Sequence, residues 1–274
     1  MKLQFTNGYQ PRFDQISRIL QFLLSREGQK KTPVQEIVST LGIPERQVKN
    51  LTSMMVGFGL VKPRVITLTP FGKSIIQGDT YFEKTETLWM IHYIVSSNPE
   101  WIIWHRIVNT VIPTHDRVSV EFTSSHYFSD LTVLFSEKTI AEHLPKEVKA
   151  VLTAYTYTEF SRLNILNQEE TGNFIRSTPV EVPSFAFLFC LLHYRDQFSV
   201  GSSAMNTKDV CLAENSPGRV FNLPEYQVRA ILEDLQSASL IRLEQFANLD
   251  QVRLPDSLTQ ESVLQRIYEG INGN

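Results

Sequence analysis

Apolar residues at helical spacing open the chain and predict two helices. The first is expected over Pro11–Leu24, where apolar residues recur three or four positions apart. The basic segment Arg26–Lys31 interrupts this pattern. Thr32 and Gln35 then have the spacing of a capping box, with a proline at the first helical position between them. This predicts a short second helix that ends at Gly42.

The stretch GIPERQVKNLTSMMVGFGLV (42–61) predicts a third helix with one polar and one apolar face. Pro44 pre-sets its first turn, and the helix is expected to run to about Phe58. Leu60–Thr69 then offers two short β-prone runs around Lys62-Pro63-Arg64, the layout of a small hairpin. Helix, short helix, turn, helix and hairpin is the order of a winged helix-turn-helix unit.

The centre of the chain is predicted to be helical and rich in tryptophan. Thr85–Ile112 contains two apolar helices that are expected to pack between neighbouring parts of the protein. Thr123–Phe135 and Leu144–Tyr155 predict a further pair of helices joined by a short link. Asn164–Thr178 predicts a hairpin that turns near Thr171-Gly172, which gives a second winged-helix-like unit.

The last third of the chain repeats the plan of the first. The apolar segment Pro183–Tyr194 predicts a buried helix, Thr207–Ala213 a short helix and Leu223–Gln236 a longer one. Leu240–Leu254 contains two β-prone arms around Asn248, and SLTQESVLQRIY (257–268) predicts a closing helix.

Together these elements predict a mainly α protein with small β-hairpins, built from tandem winged helix-turn-helix units around a helical middle. The expected divisions are an N-terminal winged helix-turn-helix at 1–82, a Trp-rich helical middle with a second winged-helix-like unit at 83–180, and a C-terminal winged helix-turn-helix at 181–274.

An internal repeat relates the first and last units. IPERQVKNL (43–51) and LPEYQVRAI (223–231) share the pattern aliphatic-Pro-Glu-x-Gln-Val-basic-x-aliphatic, and the offset continues from Leu60-Val61 to Leu240-Ile241. A weaker middle copy, LPKEVKAVL (144–152), has one residue fewer before its valine. Such repetition indicates units that bury the same faces.

Composition limits the functions open to the chain. No apolar run reaches the roughly 18 residues of a membrane span, and the start lacks the apolar segment of a signal peptide. We therefore expect a cytoplasmic protein with no membrane partner. Two cysteines without CxxC spacing disfavour a structural zinc site or a disulfide framework. The formal net charge of −3 disfavours non-specific coating of DNA, so any DNA contact should be local or assisted by a partner.

The repeat helices and hairpins carry the candidate DNA contacts. In a helix-turn-helix, early exposed residues of the second helix face the major groove, where Gln can pair with adenine and Arg or Lys with guanine. Hairpin cations, including Arg242 and Arg253 in the last unit, would lie near phosphates. The predicted DNA-binding residues are Arg46, Gln47, Lys49, Asn50, Lys62, Arg64, Arg219, Tyr226, Gln227 and Arg229.

A structural alternative exists for each of these contacts. Amphipathic helices expose polar residues whether or not they bind DNA, so the same surfaces could form a non-catalytic scaffold that docks partner proteins. For Arg219 the alternative is an ion pair with Glu214 or Glu225 that sets the entry to the repeat helix.

No catalytic motif can be defended from the residues. Asp130 with Glu147-Val148-Lys149 weakly resembles the D…ExK pattern of nucleases, but here ExK lies in a predicted helix rather than on a strand. His115-Asp116 could do acid–base work, or could belong to an ordinary polar loop. The sequence contains neither a GxxxxGK[ST] nor a GxGxxG loop. We predict no cofactor and no metal site, with a divalent metal required only if the chain nicks DNA.

Three further stretches carry a family resemblance: LTPFGKSII (68–76), TLWMIHYIVSSNP (87–99) and SPGRVFNL (216–223). With the repeat, they make the chain similar to an uncharacterised prokaryotic family encoded beside DNA phosphorothioation genes, which includes the nicking component of the Ssp-type sulfur-modification and phage-defence system. The resemblance covers nearly the whole chain. It departs near the start, where that family carries a Gly-His pair and this chain has Gly8-Tyr9.

The resemblance implies sequence-selective DNA binding that admits a sulfur-transfer machinery, with nicking as an activity left open. The partners it implies are double-stranded DNA and the proteins of a phosphorothioation machinery. A homodimer is one oligomeric state left open.

Overall fold

The computed structural model of the protein describes residues 3–170, 172–179, 181–202, 204–246 and 249–270. Most of these residues are helical, and the strands form two three-stranded antiparallel sheets. The predicted class, mainly α with small β-hairpins, is confirmed.

Three helices form the first part of the chain: α1 (Phe13–Ser25), α2 (Val34–Leu41) and α3 (Glu45–Gly57). Gly42 ends α2 in the left-handed region, with φ of 66°, as predicted. The predicted capping box is wrong, because Pro33 is the N-cap of α2 and no side chain caps this helix. Thr32 is buried instead, and its amide donates to the carbonyl of Val65 at 3.0 Å.

The hairpin expected after α3 is reduced to a single bridge between Val61 and Leu68. Inside the loop, Arg64 and Ile66 have positive φ angles of 72° and 46°. Residues other than glycine rarely adopt this conformation, and it interrupts the extended backbone that a strand requires. The prediction of two β runs across Leu60–Thr69 is therefore wrong, and a loop closed by this one bridge lies at the predicted place.

The central helices are α4 (Pro70–Gly78), α5 (Thr85–Ser96), α6 (Ile102–Arg106), α7 (Ile112–Thr114), α8 (Val120–Tyr127) and α9 (Glu137–Tyr157). A π-helical turn at Ile107–Val111 joins α6 to α7 without a break. The helix predicted over 123–135 divides, because α8 ends at Tyr127 and a 3₁₀ turn follows at Ser129–Val133.

The middle copy of the sequence repeat does not begin a helix. Helix α9 starts at Glu137, where the hydroxyl of Ser136 accepts a hydrogen bond from the amide of Thr139, and it continues through Pro145. The expectation of a helix starting at Leu144 is therefore wrong: its residues form the second, largely buried half of α9.

A small sheet in the middle of the chain combines one strand that precedes α8 with two strands that follow α9. Its strands are β1 (Arg117–Val118), β2 (Leu166–Gln168) and β3 (Phe174–Arg176), in the order β1-β3-β2. A 3₁₀ turn at Glu159–Leu163 leads from α9 into this sheet. The predicted hairpin is thus present, although its expected turn residue Thr171 lies outside the described residues.

The last third contains five helices and the second sheet. The helices are α10 (Ser184–Phe198), α11 (Thr207–Leu212), α12 (Pro217–Val220), α13 (Glu225–Ser237) and α14 (Gln260–Glu269). The strands are β4 (Ala204–Asn206), β5 (Arg242–Phe246) and β6 (Leu249–Arg253), in the order β4-β6-β5. The two predicted β arms pair as expected, and Asn248 between them lies outside the described residues.

The repeat between the first and last units is also a repeat of structure. Helices α3 and α13 each span 13 residues and begin directly after a proline. Val48 and its counterpart Val228 are both fully buried. After each helix the chain makes the same turn, because the amides of Leu60 and Leu240 donate to carbonyls at equivalent positions, at 2.8 and 3.0 Å.

Buried residues from all three predicted divisions belong to one hydrophobic cluster. At its centre, Nδ1 of His92 lies 2.7 Å from the hydroxyl of Tyr155, which also accepts from Nε1 of Trp104 at 2.8 Å. Nε2 of His92 lies 2.9 Å from the carbonyl of Val220 in the last division. The division boundaries stay predictions. Within the described part of the chain, no helix is both long and apolar enough to cross a membrane.

Candidate nucleic-acid interface

The polar face of α3 presents the predicted residues of the first unit. Arg46 and Lys49 are exposed, while Gln47 and Asn50 are half-buried. Lys49 forms an ion pair with Glu45 one turn earlier, at 2.6 Å. This ion pair gives a structural reason for the glutamate and the basic residue of the repeat, because a pair at this spacing stabilises an isolated helix by a few tenths of a kcal/mol.

The loop after α3 carries a group of cations that sequence reasoning found only in part. Lys62 and Arg64 are exposed there, as are Lys30 and Lys31 in the segment before α2. The backbone hydrogen bond from Thr32 to Val65 brings this segment beside the loop. We call Lys30, Lys31, Lys62 and Arg64 the basic wing patch. Among the described residues, none of its four cations forms an ion pair.

The cations around this patch are neutralised. Arg26 pairs with Glu36 at 2.5 Å, and Lys73 pairs with Glu27 at 2.6 Å. The nearby carboxylates are therefore engaged by other partners. The patch keeps its positive charge in a protein of net charge −3.

The equivalent cations of the last unit are paired with carboxylates. Arg229 contacts Glu225 at 2.9 Å, as Lys49 contacts Glu45, and it also contacts Asp250 at 2.7 Å. The hydrogen bond from Arg229 lowers the pKa of the Asp250 carboxyl below its ordinary value. In the hairpin, Glu244 pairs with both Arg253 at 3.0 Å and Arg242 at 3.7 Å.

The remaining residues of the last unit differ in exposure. Tyr226 is 69% exposed on the polar face of α13. Gln227 is half-buried, and its Oε1 has no hydrogen-bond partner among the described residues. Phe246 and Leu249 face each other at the tip of the β5–β6 pair and are 72% and 40% exposed.

Arg219 is held by backbone carbonyls rather than by an acidic side chain. Its Nε donates to the carbonyl of Asn109 at 2.5 Å, and Nη1 donates to the carbonyl of Leu212 at 3.1 Å. The suggested ion pair with Glu214 or Glu225 is therefore not the contact that forms. Asn109 lies in the π-helical turn of the middle division, so Arg219 ties the last unit to it.

A cavity of about 590 Å³ lies beside the first half of α3. Its walls come from the N-terminal segment around Tyr9, from the start of α3 and from α9 around Lys149. We call it the α3 cleft. Tyr9 and Lys149 were not predicted as site residues, because their proximity to α3 depends on contacts between distant parts of the chain.

Glu147 of the weak nuclease-like pattern has a structural partner. It is buried in α9, and its Oε2 accepts from the amides of Phe5 and Thr6 at 3.2 and 2.9 Å. Burial raises the pKa of the Glu147 carboxyl above its ordinary value, and it outweighs these hydrogen bonds, which lower the pKa.

Asp130, His115 and Asp116 each contact another side chain. The two carboxylate oxygens of Asp130 accept from Arg106 at 2.6 and 3.0 Å. His115 lies against the hydroxyl of Tyr127, and Asp116 pairs with Arg176 at 2.5 Å. Over the described ranges, no three His, Cys, Asp or Glu side chains form a group that could hold a metal ion.

The described part of the chain is thus mainly α, with two small antiparallel sheets, a repeated helix with a polar face, and a cluster of cations that form no ion pair there. Residues 24–268 match the family described as Protein of unknown function (DUF4007), and the chain belongs to this family. No curated protein sequence matches the chain.

Two solved structures share the fold. A magnesium ion-bound crystal structure of SspB aligns with a TM-score of 0.79 over 98% of this chain and 88% of that chain, at 15% identity. A second SspB crystal structure aligns with a TM-score of 0.77 at the same coverage and identity. The predicted resemblance to a family that includes an Ssp-system component is confirmed.

Proposed function

We propose that the chain is the DNA-binding component of a DNA phosphorothioation and phage-defence system, contacting duplex DNA through winged-helix units. Its place in such a system is supported by the fold shared with SspB and by the resemblance of its sequence. The contact with DNA is supported by the order of the helices and strands and by the distribution of unpaired cations.

The order of elements supports winged-helix units in the middle and last divisions. In the last, β4, α11, α12, α13, β5 and β6 follow one another along the chain, and the third strand, β6, lies between β4 and β5 in the sheet. The middle sheet has the same strand order around α8 and α9. In a helix-turn-helix of this kind the second helix is the one that enters the major groove.

The observation that carries the proposal is the difference in charge pairing between the first and last units. The basic wing patch has four exposed cations without ion pairs in the described part of the chain, whereas Arg242 and Arg253 in the hairpin of the last unit both pair with Glu244. The repeat helices do not differ in this respect, because Lys49 and Arg229 are both paired. Only unpaired cations can release the counterions of DNA phosphates without first losing a partner of their own. The first unit is therefore the one that contacts DNA.

Salt-dependent binding tests this proposal. Each phosphate neutralised on duplex DNA contributes about −0.9 to the slope of log K against log salt, so four patch cations predict a slope of about −3.6. Fluorescence anisotropy of a labelled duplex should give this slope for the wild-type protein. The double change Lys62→Gln with Arg64→Gln should reduce its magnitude by about 1.8.

Arg242→Gln is the matched control, because it removes a hairpin cation of the last unit that already has a carboxylate partner. It should leave the slope unchanged. No binding of the wild-type protein at low salt, or equal effects of the patch and control variants, would contradict the proposal.

A second function, docking of partner proteins, is favoured for the last unit by its exposed apolar residues. Tyr226, Phe246 and Leu249 are exposed on the helix and hairpin whose cations are neutralised. Tyr226→Ala with Phe246→Ser should abolish association with a purified protein of a phosphorothioation machinery and leave duplex binding intact. Retained association would refute docking through this face.

Nicking is a separate prediction with a direct measurement. Supercoiled plasmid incubated with the protein and Mg²⁺ or Mn²⁺ should yield relaxed circles if the chain nicks DNA. Plasmid that stays supercoiled, under conditions where the duplex is bound, counts against that activity.

A further inference from the structure

We propose that the α3 cleft binds a single phosphorylated nucleoside, with the base in the cleft and the phosphate at its cationic rim. The ligand chemistry is that of one nucleotide, and it could come from a base extruded from DNA or from a free mononucleotide. The DNA source rests on the proposed function, whereas the free source does not.

The size and floor of the cleft suit a base. Its volume of about 590 Å³ falls in the range of roughly 300 to 1,000 Å³ that is typical of small-molecule sites. Leu51 and Met54 of α3 and Ala150 of α9 line it, and all three are buried in the fold. Aromatic rings bury large apolar areas when they bind, so an apolar floor favours a base.

One wall of the cleft has an aromatic ring and a guanidinium that can hold a base. Tyr9 is 47% exposed, and the guanidinium carbon of Arg46 lies 5.7 Å from the centre of its ring. Proteins bind unstacked bases on such aromatic and arginine planes, and each stacked base is worth about 1–3 kcal/mol. Gln47 and Asn50, one turn apart on α3, also line the cleft and offer amide groups to base edges.

The position of Tyr9 is set by the buried carboxylate of Glu147. The amide of Gly8 donates to Oε1 of Glu147 at 3.3 Å and to the hydroxyl of Thr6 at 3.1 Å. Gly8 has φ of +77°, and a Cβ there would lie 3.2 Å from Cβ of Lys146 in α9. The wall is therefore held before any ligand arrives, which reduces the entropy lost on binding.

The rim of the cleft is positive. Arg12, Arg46 and Lys149 line it, and no carboxylate does so among the described residues. Arg46 and Lys149 form no ion pair in the described part of the chain, while Arg12 contacts the exposed Asp14 at 3.2 Å. Charge-assisted hydrogen bonds from such groups to phosphate are roughly twice as strong as neutral ones.

Calorimetric titration with deoxyadenosine monophosphate, deoxyadenosine and inorganic phosphate tests the inference. The monophosphate should bind at least about tenfold more tightly than either part alone, since each part makes only one set of contacts. Arg46→Gln and Lys149→Gln should each weaken binding of the monophosphate about tenfold, the typical effect of losing a hydrogen bond to a charged group. Lys138→Gln, an exposed cation on the same helix α9, is the matched control and should have no effect.

Tyr9→Leu separates a nucleotide site from a simple anion site. This variant should weaken binding of the monophosphate, because it removes the stacking ring, without changing the binding of phosphate itself. If phosphate binds wild-type protein as tightly as the monophosphate does, or if none of the three compounds binds, the inference is overturned.

A duplex containing one mismatched 2-aminopurine distinguishes the two sources. Extrusion of this base should raise its fluorescence with wild-type protein but not with Tyr9→Leu, and a mismatched base is extruded at least cost. Monophosphate binding without this rise assigns the site to a free nucleotide. If the duplex fails to bind at all while the monophosphate binds, the proposed function fails and the cleft inference stands. If the duplex binds while the monophosphate does not, only the cleft inference is overturned.

Discussion

The buried carboxylate of Glu147 provides the most direct test of how the N-terminal segment is held. It accepts hydrogen bonds from the amides of Phe5, Thr6 and Gly8 and from the hydroxyl of Thr6. Three of these four donors meet Oε2, and only the Gly8 amide meets Oε1, at 3.3 Å. The two obvious substitutions should therefore have very different effects.

Glu147→Ala leaves three buried donors without this partner, whereas the Gly8 amide keeps its hydrogen bond to the hydroxyl of Thr6. A buried donor left unsatisfied costs about 1–3 kcal/mol, and partial entry of water reduces the total, so we expect a loss of about 3–5 kcal/mol in the free energy of unfolding. Glu147→Gln can place its carbonyl oxygen at the position of Oε2 and keep three bonds. Its amide nitrogen then meets only the Gly8 amide, so we expect a loss of about 1 kcal/mol.

Urea unfolding followed by circular dichroism measures both losses. The pKa of Glu147 is raised above its ordinary value of 4.5 by burial, so the folded state favours the protonated carboxyl. The free energy of unfolding of the wild type should therefore exceed that of Glu147→Gln by most below pH 4.5, and this difference should shrink as the pH rises. Equal losses for Ala and Gln, or no loss for Ala, would refute the assignment of Glu147 as the anchor of this segment.

Three further predictions concern the core, a helix contact and an ion pair. Burial lowers the pKa of His92 from 6.5 to about 4, so stability should fall by up to about 3 kcal/mol as the pH drops from 6.5 to 4, and His92→Gln should remove this dependence in urea midpoints. Gly78→Ala places a Cβ 2.3 Å from Cγ and 2.4 Å from Cβ of Tyr268, so it should lower stability by about 1–3 kcal/mol in urea unfolding, and an unchanged midpoint would contradict this contact. Arg229→Ala breaks the contact with Asp250 and should lower stability by at most about 1 kcal/mol without changing duplex affinity, because this cation is already paired; a loss of affinity in the anisotropy assay would contradict that.

Much of the fold follows from local patterns in the sequence. The apolar spacing in α1 and the proline before α3 set helix positions that agree closely with the structure. The repeat predicted that its copies bury the same face, and Val48 and Val228 do enter the core at equivalent places. These features depend on interactions within a few residues, which the sequence displays directly.

The errors arose where a distant contact overrode a local preference. A helix was expected to begin at Leu144, but α9 starts seven residues earlier, at Glu137, and packs its second half into the core. Thr32 was expected to cap α2, but its backbone bonds to Val65 instead. In both cases the burial or hydrogen bonding of the segment outweighs the propensity of a single residue.

The sequence by itself determined the helical class, the repeated unit and the residues that occupy its polar faces. Only the tertiary structure decided which of those residues keep an unpaired charge. Arg229 meets Asp250, 21 residues away in the sequence, whereas Lys62 and Arg64 lie beside Lys30 and Lys31 without an acidic partner among the described residues. Coulomb interaction depends on distance in space, so the availability of a cation for DNA cannot be obtained from the order of residues alone.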